Sequence, residues 1–323
     1  MPRVRRLSVP IAVALVVLAT SLLSSCRLIP DPSFADLMAA RPGTGTAQPE
    51  VSRDVAYGEN KGCVLASDVL CSGSQTLDLH RSPVGTGSRR PVLLWVHGGG
   101  WTMGDKSEPL PANVLRQLDR GYDVLAVNYR LAPRFPFPAA LTDLKLAVRW
   151  VKAHAEDHGW DPSRIVVVGH SAGGNLAALV GATPGVTALE PVVSGDLGRQ
   201  DSSVTAVMAV NGVLDLNDTA TSGPVGAAYV RMYVGCTACA PARDASVAGR
   251  IGRNAAPLYL VHGAHDPMSK PTQGISVCLL YARADRPCSI DIVDSGPTQS
   301  QGHDSWAMVN QTEFERFIDH PTA

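Results

Sequence analysis

The sequence predicts an α/β protein built on a mainly parallel sheet with helices on both faces. Three observations carry that prediction. Short, almost wholly apolar runs recur from residue 91 to residue 293, segments of helical spacing separate them, and the two kinds alternate. A strand covered on both faces has no polar side to present, so it reads as an unbroken apolar run. The chain has 323 residues, 45% hydrophobic and 18% charged, enough for one large core. A formal net charge of −1 supplies no basic face of the kind a nucleic-acid partner requires.

Taken in order, residues 51–80 read as antiparallel edge strands, and Pro91–His97 is the first buried strand, ending in glycines. Tyr122–Asn128 is the second. Across Ala139–Ala155, the apolar positions Leu141, Leu144, Ala147, Val148 and Val151 follow a helical period. Arg164–Gly169 is a third strand, followed by a helix over Ala172–Gly181. Strands at Val204–Val210 and Leu258–Val261 come next, then a helix around Gly274–Ala284, a strand at Ser289–Val293 and a last helix near Val309–Ile318. The stretch Asp215–Asn254, including Pro224–Val234, reads as a small lid over a pocket. No internal repeat is present.

The first residues are a different material. Arg3, Arg5 and Arg6 precede an apolar stretch from Val9 to Leu23, and Leu23-Ser24-Ser25 then supply small residues before Cys26. This is the pattern of an export signal, and the apolar run falls short of the roughly 20 residues a membrane-spanning helix needs. Its end resembles a bacterial lipobox, in which the cysteine carries lipid after cleavage. The expectation is therefore a signal over residues 1–25, a Pro/Gly/Thr-rich tether over 26–50 and a folded domain over 51–323, anchored to the outer face of the membrane through Cys26. Loss of residues 1–25 removes three arginines and no acid, leaving a mildly acidic chain.

Cysteine usage points to the same compartment. Beyond Cys26 there are six, and local pairing joins Cys63 to Cys71, Cys236 to Cys239 and Cys278 to Cys288, although six cysteines allow many connectivities. Cys236-Thr-Ala-Cys239 also has redox or zinc spacing. No second CxxC and no thioredoxin-like surroundings accompany it, so no metal and no cofactor are expected.

Two motifs carry chemistry. Gly169-His170-Ser171-Ala172-Gly173, with Gly174 following, lies where a buried strand passes into a helix. A serine at such a turn needs neighbours without Cβ atoms, and the bend lifts its hydroxyl above the sheet in front of a helix N-terminus. Upstream, His97-Gly98-Gly99-Gly100-Trp101 ends another strand. Consecutive glycines let backbone N–H groups converge on a developing oxyanion, and Gly99, Gly100 and Ala172 are the candidate donors. His97 precedes the nucleophile and reads as a support for that loop. Trp101 either lines the acyl pocket or packs beside the loop.

With these motifs and the segments Asn128-Tyr129-Arg130-Leu131-Ala132-Pro133 and Phe137-Pro138-Ala139-Ala140, the chain resembles the α/β-hydrolases of the hormone-sensitive-lipase-like esterase/lipase family and the related feruloyl-esterase-like (BD-FAE) group. The resemblance spans about residues 90–310. It implies an α/β-hydrolase fold, a Ser–Asp–His triad, no metal, and hydrolysis of small-molecule esters with small to medium acyl groups. His170 departs from the pattern, since the lipase-like members usually carry an acidic residue there, and the lid stretch is short. In this fold the acid and then the histidine follow the serine in the chain. Screening the nine histidines leaves His303, in Gln301-Gly302-His303-Asp304 after the last strand. Asp266, just past a strand end and at the family's acid position, is the candidate acid, with Asp215 as its rival. Two other functions compete: an arylformamidase or small peptidase using the same triad on an amide, and a non-catalytic binding module on the same scaffold.

Overall fold

The computed structural model describes residues 5–7, 49–59, 74–85, 88–294 and 302–321. Apart from residues 5–7, 49 and 50, the expected signal and tether lie outside the described residues, as do Cys26, Cys63 and Cys71.

Among the described residues, nine strands form one sheet: β1 (Arg5–Leu7), β2 (Val51–Ala56), β3 (Thr76–His80), β4 (Arg90–Val96), β5 (Asp123–Val127), β6 (Trp160–His170), β7 (Ala206–Val210), β8 (Leu258–Gly263) and β9 (Cys288–Val293). Their spatial order is β1-β9-β8-β7-β6-β4-β5-β3-β2. The six strands β4 to β9 run parallel, while β2 and β3 at one edge and β1 at the other are antiparallel. The fold class read from the sequence is therefore the observed one.

The apolar runs have the expected cause. Along β4, Val92, Leu94 and Val96 enter one core and Leu93 and Trp95 the other. Along β6, Val167 faces the first and Val166 and Val168 the second. A side chain every second residue per face, with both faces buried, leaves no polar position. The main helices are α1 (Ala139–Ala153), α2 (Ala172–Ala182), α3 (Thr219–Val234, broken at Gly223), α4 (Pro271–Arg283) and α5 (Gln311–Asp319). The first four contribute to the larger core; α5 covers the opposite face with Phe314, Phe317 and Ile318. Every residue of α2 is buried, so apart from Asn175 it is apolar all round rather than striped.

Element ends differ from the sequence reading for local reasons. The third strand begins at Trp160, because a register shift lets Arg90 pair with Trp160, and the indole N–H of Trp160 donates to Asp123 at 2.8 Å. Helix α4 begins at Pro271, whose missing N–H costs nothing in a first turn. Helix α5 begins after Asn310, whose side-chain oxygen accepts the Glu313 N–H at 3.3 Å.

Candidate active site

The end of β6 and the start of α2 form a sharp elbow. Ser171 sits at φ 53°, ψ −119°, outside the ordinary regions for a residue with a side chain. The bend closes because its glycines lack side chains. A Cβ on Gly169 would lie 2.2 Å from the Gly173 carbonyl oxygen, and one on Gly173 would lie 2.2 and 2.3 Å from the carbonyl oxygens of Val96 and His97. Backbone bonds hold the turn from below: the Ser171 N–H donates to Val210 at 2.9 Å, and the Asn175 N–H to Ser171 at 3.0 Å. The Asn175 amide donates to the Val213 and Ala245 carbonyls at 2.9 and 3.1 Å.

The glycine loop after β4 lies against this elbow; a Cβ on Gly98 would come 3.4 Å from that of Ser171. Gly99, Gly100 and Trp101 all have positive φ, at 99°, 58° and 61°. The Gly99 carbonyl accepts the N–H groups of Thr102 and Met103 at 3.0 and 3.1 Å, which tightens the loop. His97 serves the loop as expected: its Nδ1–H donates to the Gly98 carbonyl at 2.9 Å and its ring stacks on Tyr129 at 4.4 Å. Burial, against the pull of that hydrogen bond, pushes its pKa down to about 4. Trp101 packs beside the loop. It is buried and stacked at 4.7 Å on Tyr233 of α3, and Tyr229 of the same helix lies against Gly100.

The segment Asn128–Pro133, for which the sequence offered no chemistry, supports this loop. The Tyr129 hydroxyl donates to the carbonyls of His97 and Gly98 at 3.0 and 3.2 Å. The Ala132 N–H donates to the Trp101 carbonyl at 2.9 Å. Asn128 accepts the Lys106 N–H and donates to Asp105, while Arg130 grips the buried Asp143 through Nε and a terminal nitrogen.

On the other side of Ser171, the turn after β8 carries Asp266 and the segment after β9 carries His303. The His303 Nδ1 stands 2.9 Å from Asp266 Oδ2, and its Nε2 stands 2.7 Å from Ser171 Oγ. Asp266 is buried and fully engaged: Oδ1 accepts the Met268 and Ser269 N–H groups at 2.8 and 3.0 Å, and Oδ2 accepts the Asn211 amide at 2.7 Å. Burial raises its pKa. The hydrogen bond and charge of His303, with the Met268 and Asn211 donors, outweigh burial and hold the carboxyl below its ordinary value. Gly302 permits the close approach, since a Cβ there would lie 2.9 Å from the His265 carbonyl oxygen.

The structure thus brings together Ser171, Asp266 and His303, beside Gly99, Gly100 and Ala172. Asp215 is elsewhere, accepting the Asn217 N–H and the Ser246 hydroxyl. Cys236–Cys239 and Cys278–Cys288 are disulfide-bonded, the first just after α3 and the second joining α4 to β9. Among the described residues, no group of three or more His, Cys, Asp or Glu has a metal-binding arrangement. Sequence reasoning missed Asn211. It follows β7 at φ 51°, and its amide also donates to the Gly302 carbonyl at 3.1 Å, tying the acid turn to the histidine segment. The only sequence signal was Asn211-Gly212 at a strand end, which reads as an ordinary turn.

Sheet order and site together define an α/β-hydrolase. Solved structures agree on the fold: a truncated carbohydrate esterase from gut microbiota (TM-score 0.66, 21% identity, 84% of this chain and 95% of that one) and a propionate-bound thermophilic esterase, Est2, from Thermogutta terrifontis (TM-score 0.63, 22% identity, 85% and 94%). The BD-FAE family profile matches residues 77–279, and the chain belongs to that family. Among similar sequences are the esterases LipC and LipQ of Mycobacterium tuberculosis. LipC is 35% identical over 201 residues, 60% of this chain and 48% of LipC; LipQ is 31% identical over 202 residues, 61% and 47%. The matched part of this chain spans about half the length of these relatives.

Proposed function

We propose that the protein hydrolyses carboxylic esters of small to medium acyl chains through an acyl-serine intermediate. The observation that carries this reading is the unbroken line from Asp266 through His303 to Ser171, at 2.9 and 2.7 Å, beside a loop of left-handed glycines. The ionised Asp266 accepts the Nδ1–H of His303, which turns the Nε2 lone pair toward Ser171. Ser171 Oγ attacks the ester carbonyl carbon as its proton passes to Nε2. The carbonyl oxygen takes the negative charge and is held by the N–H groups of Gly99, Gly100 and Ala172, with the N-terminus of α2 adding to the field. The C–O bond then breaks, the alcohol leaves with the proton from His303, and water repeats the cycle on the acyl-enzyme. The relatives named as esterases support the ester over the amide.

The test is a panel of p-nitrophenyl esters from C2 to C12, with feruloyl esters and amide analogues, run beside Ser171→Ala. Turnover of the shorter esters that disappears in the variant is expected. Equal turnover by Ser171→Ala, or turnover of amides alone, would contradict the proposal. The same reading includes export with cleavage before Cys26, which removes β1 and leaves β9 at that edge of the sheet, and a lipid on Cys26; the disulfides Cys236–Cys239 and Cys278–Cys288 support it as features of an oxidising compartment. Cys26→Ser should shift the protein from the membrane fraction to the supernatant; continued retention would contradict the anchor.

A further inference from the structure

We propose that His170, the residue before the nucleophile, is a positioning residue that pins the backbone of His303 through an Nε2–H donor; the inference rests on the catalytic reading above. Its Nε2 stands 2.8 Å from the His303 carbonyl oxygen, 133 residues away in sequence. The same residue lies beside the other two parts of the site. It directly precedes Ser171 in the chain, and its ring stands so near the glycine loop that a Cβ added to Gly98 would come within 3.3 Å of Nδ1. Its ring centroid is 5.3 Å from that of His303 and 6.2 Å from that of Trp306. One side chain therefore spans the elbow, the glycine loop and the segment that carries the base.

The chemistry at that place requires a donor. A carbonyl oxygen accepts only, so the partner must bring a hydrogen, which an ionised carboxylate lacks. Burial, followed by the charge of His303, pushes the His170 pKa down to about 4. Near neutral pH the ring is uncharged and carries one hydrogen, which the His303 carbonyl places on Nε2. A neutral ring also spares the site a second cation beside the imidazolium that His303 becomes during turnover. The departure from the acidic residue of the lipase-like members thus has a physical content. The Asp266 and Asn211 bonds fix the imidazole and Gly302, and His170 fixes the main chain of the histidine itself.

The test exploits side-chain length. The glutamine amide nitrogen reaches the position of Nε2 and donates, whereas methionine has similar length and no donor. Steady-state kinetics on p-nitrophenyl butyrate, with Tm measured in parallel, would compare wild type, His170→Gln, His170→Met and Ser171→Ala. The expected result is a fall in kcat of about tenfold or more for His170→Met, because a small displacement of the base is costly. KM and Tm should stay near wild type, and His170→Gln should recover kcat to within about threefold. Equal kcat in His170→Met and wild type, or equal losses in the Met and Gln variants, would overturn the proposal. Activity that survives in Ser171→Ala would instead overturn the catalytic reading on which it rests.

Discussion

The two sides of the site are built by different physics. Ser171 and the glycine loop come from β6 and β4, adjacent parallel strands, and are held chiefly by backbone packed against backbone with no room for a Cβ. Asp266 and His303 come from the turn after β8 and the segment after β9 and are held by hydrogen bonds, from the Met268 and Ser269 N–H groups, from the side chains of Asn211 and His170, and from each other. The first side is fixed by steric exclusion, which fails all at once. The second is a network, which loses precision donor by donor.

That contrast sets an order of expected effects. The largest belongs to the elbow: Gly173→Ala forces a methyl into the Val96 and His97 carbonyls and should cost on the order of 4 kcal/mol of stability, with loss of activity. Thermal unfolding would measure it, and a Tm near wild type would contradict the steric account. Next is Asp266→Asn, which leaves the shape but not the charge or the acceptor pattern; kcat should drop by about a thousandfold or more with little change in Tm. Asn211→Ala removes a donor shared by Asp266 and Gly302, and should lower kcat about tenfold while leaving KM near wild type. A larger rise in KM than fall in kcat would place Asn211 in substrate binding instead.

Acid should weaken the whole molecule before it affects Asp266. Burial holds His97, His170 and His262 at about 4, whereas in the unfolded chain they titrate near 6.5. Between those values the unfolded chain binds more protons, so stability falls as pH drops from about 6.5 toward 4 and is fully present above that window. Asp266 contributes in the same direction only at lower pH, as its depressed carboxyl protonates. Denaturant midpoints at pH 7.5 and pH 5 should differ, with the lower at pH 5; equal midpoints would contradict the buried neutral imidazoles. The smallest effect is expected for Tyr129→Phe, which removes one hydroxyl from beneath the glycine loop and should cost about 1 kcal/mol of stability.

Legibility in the sequence followed the same divide. The central strands were readable because burial on both faces leaves Val92 to Val96 and Ile165 to Val168 without a polar residue. Ser171 and the glycine loop were readable because steric exclusion selects glycine at several neighbouring positions, a local and unusual pattern. His303 and Asp266 emerged only by elimination and by resemblance, since a histidine in a loop looks the same whether or not it meets a serine. Asn211 and the role of His170 were not legible. Their partners lie 55 to 133 residues away, and nothing local requires those side chains. The support given by Tyr129 was hidden for the same reason.

The most direct test of the central claim is covalent. Treating the purified protein with a p-nitrophenyl alkylphosphonate, which mimics the tetrahedral intermediate, and mapping the adduct by mass spectrometry would locate the nucleophile. One phosphonyl group on the peptide containing Ser171, formed at a rate that collapses in His303→Ala, is the predicted result. An adduct on another residue, or modification of Ser171 that proceeds unchanged without the imidazole, would contradict it.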